Sequence, residues 1–197
     1  LIYQANCCLG VASNSKTWHA QNIVLATPAW VTAKLLATEP TIAIANNLAQ
    51  LAYNTITTVY LFFNAPVSLP LPMIGLLTGP IQWLFTRQFT AQPNILSAII
   101  TNNPNKPQYS REELLPAIEQ QLKNYFPKLP TLINSKIITE KRAAFLCTPE
   151  MQKLRPSNTT NIPNLFLAGD YTQTGYPATI EGAIKSGIAC AEEIINR

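Results

Sequence analysis

The residues of this chain best placed to do chemistry lie in "NLFLAGDYTQTGYPATIEGAIKSG", positions 164 to 187. An apolar run, Leu165 to Ala168, ends in Gly169 and Asp170, and the loop that follows leads into a helix expected over about 180 to 195. In open α/β sheets ligands sit beyond the carboxyl ends of the strands, where glycine lets a ligand approach the backbone closely. A carboxylate at that edge only accepts hydrogen bonds, which suits the hydroxyls of a ribose or ribityl chain. At the far end of the loop, the first helical N–H groups, around Thr179, Ile180 and Glu181, lack intrahelical acceptors and carry the positive end of the helix dipole. An electron-rich oxygen pointing at them is stabilised. The same spacing also fits a plain strand–loop–helix in which Asp170 is only a helix-side cap.

The elements around this joint must hold it. Ile180, Ile184, Gly187, Ile188, Ala191 and Ile195 recur as one apolar stripe, Glu181 and Lys185 pair at i,i+4 on an exposed side, and Gly182, Ala183, Ser186 and Gly187 keep the first half of the helix thin. At the other end of the chain, Leu9 to Ala12 reads as a strand, Ser13 to Lys16 as a turn, and Asn22 to Ala26 as a strand covered on both faces. Pro28 then opens a helix to about Ala37. Strand–turn–helix units at both ends indicate an α/β layer.

Between them, Pro40 through Thr86 holds no charged side chain. Asn46, Asn47, Gln50, Asn54, Asn64 and several prolines interrupt every window long enough to span a membrane. The segments 55–63, 73–77, 81–89 and 95–101, punctuated by Gly, Pro and Asn, read instead as an antiparallel sheet. That sheet either buries one face in an ordinary core or also walls a cavity for a large apolar ligand. "SREELLPAIEQQLKNYFP" carries a capping box, Ser110 with Glu113, for a helix to about Tyr125; Pro116 predicts a kink or a later start. "LINSKIITEKRAAF" is extended, and 148–163 is a connecting stretch.

Composition removes several classes. With 47% hydrophobic residues the chain can build a core, and its +4 net charge rests on only 12% charged residues that form no basic stripe, which argues against nucleic-acid binding. Cys7, Cys8, Cys147 and Cys190 form no CxxC pair and His19 is the single histidine, so no metal site is expected and the thiols read as free and buried in a reducing cytoplasm. Leu1 opens on what reads as mid-domain sequence, so an N-terminal part of the protein is expected to lie outside this chain.

The joint resembles the C-terminal FAD-binding segment of the amine-oxidase/phytoene-desaturase superfamily. Gly-Asp-Tyr-Thr followed by "TGYPATIEGA" is closest to the squalene-associated desaturases, described as hydroxysqualene dehydroxylases. "AQNIVLATPAW", "MIGLLTGPIQWLF" and "ITEKRAAF" extend the likeness more loosely over most of the chain. The resemblance implies an α/β (α+β overall) flavoprotein fragment: residues 1–40 and 148–197 from the FAD-binding domain, with an antiparallel-sheet substrate domain, 41–147, inserted between them. It implies FAD as cofactor, with Gly169, Asp170, Ala178, Thr179 and Ile180 as its binding residues. Asp170 would meet the ribityl or pyrophosphate portion, and the helix start would meet the pyrimidine edge of the ring. The amine-oxidase branch ends the corresponding strand in Gly-Glu-His, so a monoamine substrate is not expected, and no cysteine in the loop suggests a covalent flavin.

The implied reaction is hydride delivery to an allylic carbon of hydroxysqualene as hydroxide leaves, yielding squalene for hopanoid or triterpenoid biosynthesis. The catalytic residues are not identified; Tyr60, Phe62, Trp83 and Phe85 are candidates for a polyisoprenoid pocket, with ordinary core packing the plainer role for each. The superfamily's GxGxxG unit is absent from these residues, which predicts weak FAD binding by the chain alone and makes that unit its expected partner. A cytoplasmic protein with peripheral contact on the inner face of the membrane is expected. A carotenoid-type (phytoene) desaturase or another flavin amine oxidase-like enzyme, and a non-catalytic apolar-ligand or interaction module, are the alternatives.

Overall fold

The computed structural model describes residues 1–38, 40–87, 92–101 and 109–196. It divides into two compact units, one formed by Leu1–Tyr53 with Ala144–Arg197 and the other by Asn54–Ala143.

In the first unit, β1 (Ile2–Gln4), β2 (Cys7–Ser13) and β3 (Lys16–His19) form an antiparallel sheet. The tight turn between β2 and β3 has Asn14 at φ 50°, a left-handed conformation that asparagine tolerates. β4 (Ile23–Leu25) leads through Pro28, whose fixed φ suits a helix start, into α1 (Ala29–Leu35). A second helix, α2 (Ile42–Ala49), follows. Residues 41 onward are expected in the inserted domain, with its first strand at 55 and no helix before it; α2 instead buries Ala45 and Leu48 in the same core as Leu36 and Leu51. That packing moves the boundary to Tyr53 and Asn54.

The second unit holds β5 (Tyr53–Phe63), β6 (Met73–Gly75), β7 (Trp83–Thr86), β8 (Ile95–Thr101), α3 (Arg111–Tyr125) and β9 (Leu132–Phe145), with sheet order β6-β7-β8-β5-β9. The strand expected over 81–89 is shorter, and its positions 88 and 89 lie outside the described residues. Val59, Leu61, Leu84, Leu96 and Ala98 point to one side of the sheet and pack with Ile118 and Leu122 of α3. The cap fixes where that helix starts: Ser110 Oγ accepts from Glu113 N at 3.2 Å, and Ser110 N donates to Glu113 Oε2 at 2.9 Å. Helix α3 therefore begins at Arg111 and runs through Pro116, so the later start does not form. Replacing Ser110 by alanine should cost about 0.5–2 kcal/mol, read as a lower midpoint in chemical denaturation; an unchanged midpoint would refute the cap's role.

The chain returns to the first unit with α4 (Pro149–Leu154), β10 (Leu165–Leu167) and α5 (Ile180–Ile195). β10 pairs in parallel with β4, Leu165 opposite Ile23 and Leu167 opposite Leu25. Asn164 ties this pair to the hairpin sheet: its Nδ2 donates to Cys8 O at 2.7 Å and Gln21 O at 2.9 Å, and its Oδ1 accepts from Cys8 N at 2.9 Å.

The isoleucine stripe of α5 does not face the core. Gly182, Ser186 and Cys190 form its buried line, while Ile180 is 83% and Ile184 53% exposed, with Ile188 and Ile195 also exposed. Two contacts decide the rotation. Ser186 Oγ accepts from Gly169 N at 2.9 Å and shares a 2.7 Å bond with Thr172 Oγ1. A Cβ on Gly182 would come within 3.0 Å of the Pro177 carbonyl. The cysteines also differ from the expectation of burial: all four are free, but only Cys8 and Cys190 are buried, while Cys7 and Cys147 are exposed.

Candidate functional site

The site is built where β10 ends. Ala168 N donates to Leu25 O at 3.0 Å, which carries the parallel pairing to the edge of Gly169. Tyr171, 1% exposed, turns back beneath the joint, where its hydroxyl donates to Leu25 O at 3.3 Å and bonds Thr32 Oγ1 at 3.1 Å. Burial pushes its phenol up to about 12, so it stays a neutral anchor. The sequence argument gave Gly169 a ligand-clearance role. Its first requirement is internal, because a Cβ there would lie 2.5 Å from the Tyr171 ring.

Asp170 is half-buried, and among the described residues no side chain donates a hydrogen bond to its carboxylate. Burial raises its pKa, while the Arg155 charge and the Tyr171 backbone N–H pull it back. A desolvated carboxylate with spare lone pairs is an acceptor for ligand hydroxyls. At the other end of the loop Thr179 caps α5, its Oγ1 accepting from Gly182 N at 3.1 Å, with Thr179 and Ile180 exposed and Ala178 half-exposed. All five cofactor candidates therefore border one surface joint of the first unit.

Arg155 escaped the sequence reading. Only 3% exposed just after α4, it donates to the carbonyls of Asp170 (3.0 Å), Thr172 and Tyr176 (2.7 Å), spanning the loop. A signal existed: a loop outside every ladder needs donors for its carbonyls, and arginine carries five. Nothing in the spacing of Arg155 pointed to that loop.

Tyr60, Phe62, Trp83 and Phe85 all belong to the second unit, on the sheet face opposite the α3 core. The register aligns Tyr60, Ser97, Phe85 and Met73 in one row across β5, β8, β7 and β6. Tyr60, Phe62 and Phe85 are half-buried and Trp83 is 44% exposed, its ring stacked near Gly75. The Arg87 guanidinium already lies 5.7 Å over the Tyr60 ring. A cavity of about 370 Å³ in this unit is lined instead by Phe63, Leu122, Phe126 and Leu132, on the α3 side. Among the described residues, no cluster of His, Cys, Asp or Glu could hold a metal, and no helix is long and apolar enough to cross a membrane.

A parallel strand pair ending in Gly-Asp, with a capped helix beyond it whose first turn is bare, is the arrangement of α/β proteins that grip a nucleotide cofactor. The chain belongs to the flavin containing amine oxidoreductase family, which matches residues 4–195. FAD is the cofactor that membership implies, and the spare acceptor on Asp170 and the open helix start fit its hydroxyl-bearing chain and its electron-rich ring edge.

Hydroxysqualene dehydroxylase of Sinorhizobium fredii is 36% identical over 140 residues, 71% of this chain and 32% of that protein. The Zymomonas mobilis enzyme of the same name is 30% identical over 177 residues, 90% of this chain and 39% of that protein. A 15-cis-phytoene desaturase of Synechococcus elongatus is 35% identical over 94 residues, 45% of this chain and 20% of that protein. The chain thus spans about a third of the length of the dehydroxylases it matches. An oxidoreductase structure from Methanosarcina mazei covers 97% of this chain, and 47% of its own chain, with a TM-score of 0.65 at 12% identity, a likeness of fold.

Proposed function

We propose that the protein containing this chain is an FAD-dependent oxidoreductase acting on a polyisoprenoid, and that its reaction is reductive dehydroxylation of hydroxysqualene to squalene, a step of hopanoid biosynthesis. The carrying observation is the 30–36% identity to dehydroxylases over 71–90% of the chain. Bound FAD supplies the redox step. Asp170 accepts hydrogen bonds from hydroxyls of the ribityl chain beside the pyrophosphate, and the start of α5 stabilises charge at the pyrimidine edge. The aromatic face of Tyr60, Phe62, Trp83 and Phe85 is the polyisoprenoid wall, a surface drawn mostly from the uncharged segment. Anaerobically reduced full-length protein incubated with hydroxysqualene should release squalene; no squalene would overturn the proposal. The second reading, a phytoene-type desaturase, is favoured by the Synechococcus match and would show itself by phytoene turnover in the oxidative direction.

The partner we assign to the first unit is the GxGxxG nucleotide-binding unit of the same protein. The bare isoleucines of α5 and 42%-exposed Val24 on β4 leave an apolar surface, and the match leaves well over half of each relative's length uncovered. These 197 residues alone should bind FAD poorly, and supplying that unit in trans should restore binding. Tight stoichiometric flavin on the chain alone would overturn this assignment. A cytoplasmic protein touching the inner membrane face is proposed from exposed Leu71, Met73, Leu77 and Trp83 in the uncharged segment. Sedimentation of full-length protein with liposomes at low salt checks this, and a wholly unbound protein would refute it.

A further inference from the structure

We propose that Arg155 is the positioning residue of the flavin-edge loop: its guanidinium fixes the backbone from Asp170 to Tyr176, and its charge keeps the Asp170 carboxylate ready for ligand hydroxyls. The inference rests on the flavin-site reading above, and nothing in the family match assigns this residue.

Five acceptors converge on one side chain. Nη1 donates to Gln152 Oε1 and Tyr176 O, each at 2.7 Å. Nη2 donates to Asp170 O and Thr174 Oγ1, each at 3.0 Å, and to Thr172 O. The guanidinium carbon lies 5.0 Å over the Phe145 ring. The loop carbonyls it serves belong to no helix or sheet ladder; Thr172 O also accepts from Thr174 N at 2.8 Å, but among the described residues the carbonyls of Asp170 and Tyr176 have their donor in this guanidinium. Lysine could not replace it, because one ammonium reaches neither the two ends of the loop together nor the stacking position over Phe145.

The charge is unusual too. Arg155 is 3% exposed, yet among the described residues no carboxylate lies within ion-pair distance of it. Carbonyl dipoles hold it instead, and burial weakens its hold on its proton while Cys147 and Asp170 strengthen it. The charged or titratable groups bearing on Asp170 are Arg155, after α4, and neutral Tyr171 beside it. Arg155 is thus the one cation among them that favours the ionised carboxylate. The ionised form is the stronger acceptor for ligand hydroxyls, so FAD binding should weaken on the acid side as Asp170 takes up a proton. Removing the positive charge raises the pH at which this happens.

The test uses full-length protein with FAD, comparing Arg155→Ala with Arg155→Lys. Both should weaken FAD binding by at least roughly tenfold, because both lose the fork of hydrogen bonds. The two should then part in their pH profiles. In Arg155→Ala the acid limb of FAD binding moves to higher pH, while Arg155→Lys keeps the charge and leaves the limb where it is. Added guanidinium ion should restore part of the affinity of Arg155→Ala and none to Arg155→Lys. Amide exchange across 171–176, measured without flavin, should quicken in both variants. FAD affinity within twofold of wild type, or unchanged exchange in the loop, would overturn the clamp. An unmoved acid limb in Arg155→Ala would overturn the electrostatic part. If wild-type protein binds no FAD while loop exchange still quickens in the variants, the flavin reading fails and the clamp stands.

Discussion

Full-length protein carrying Asp170→Ala should bind FAD roughly ten- to a hundredfold more weakly than wild type, the scale expected when hydrogen bonds to a charged acceptor are lost. The carboxylate has no side-chain donor among the described residues, so its lone pairs are open to a ligand. Asp170→Asn should lose less, since one acceptor oxygen remains. The same substitution should act oppositely on the flavin-free fold. The pKa of Asp170 is raised by burial, so its contribution to stability is fully present below the unfolded pKa and is lost as pH rises through the folded pKa. Flavin-free Asp170→Asn should therefore melt above wild type at neutral pH and converge with it at pH values below the ordinary aspartate range. Fluorescence titration with FAD and thermal melts across pH measure both effects. Undiminished FAD affinity in Asp170→Ala would remove this residue from the site.

Phe166→Ala should cost about 3–5 kcal/mol of stability, the usual loss for a fully buried phenylalanine. Phe166 is 0% exposed in the middle of β10, opposite Val24, and packs with Cys190 and Ala168 under the helix that carries Ser186. Its loss opens a cavity beneath the hydrogen bond from Gly169 N to Ser186 Oγ, so weaker flavin binding should accompany the lower stability. Denaturant titration followed by far-UV circular dichroism reads the change; a loss below about 1 kcal/mol would mean that the site collapses around the missing ring.

The legible parts of the fold were those fixed by local chemistry. The Ser110–Glu113 box set the start of α3, the β-branched run at 95–101 became β8, and α5 spans the expected 180–195. α2 was hidden because Thr41 turns its hydroxyl back to Leu36 O and Thr38 O rather than capping the helix, and no charge marks either end. α4 was hidden among the prolines and asparagines of a connecting stretch. The inner side of α5 was not legible for a different reason: apolar periodicity marks a side that avoids water, not the neighbour that covers it. Against this unit, the polar contacts of Ser186 and the thinness of Gly182 decide the inner side. In the site, Asp170 and the helix start could be named from spacing. Tyr171 and Arg155 act across long sequence separations, to Leu25 and to Tyr176, which spacing does not record.

The outward isoleucines of α5 bear on the life of the polypeptide in the cell. A helix showing Ile180, Ile184, Ile188 and Ile195 to water presents the kind of surface that chaperones and proteases use to recognise an unassembled protein. A copy whose α5 stays bare would be cleared or would coalesce with its neighbours, and a copy whose α5 is covered would persist. With the nucleotide-binding unit as the proposed cover, the same four side chains would act as a checkpoint on completeness, coupling the abundance of the protein to the assembly of its cofactor site.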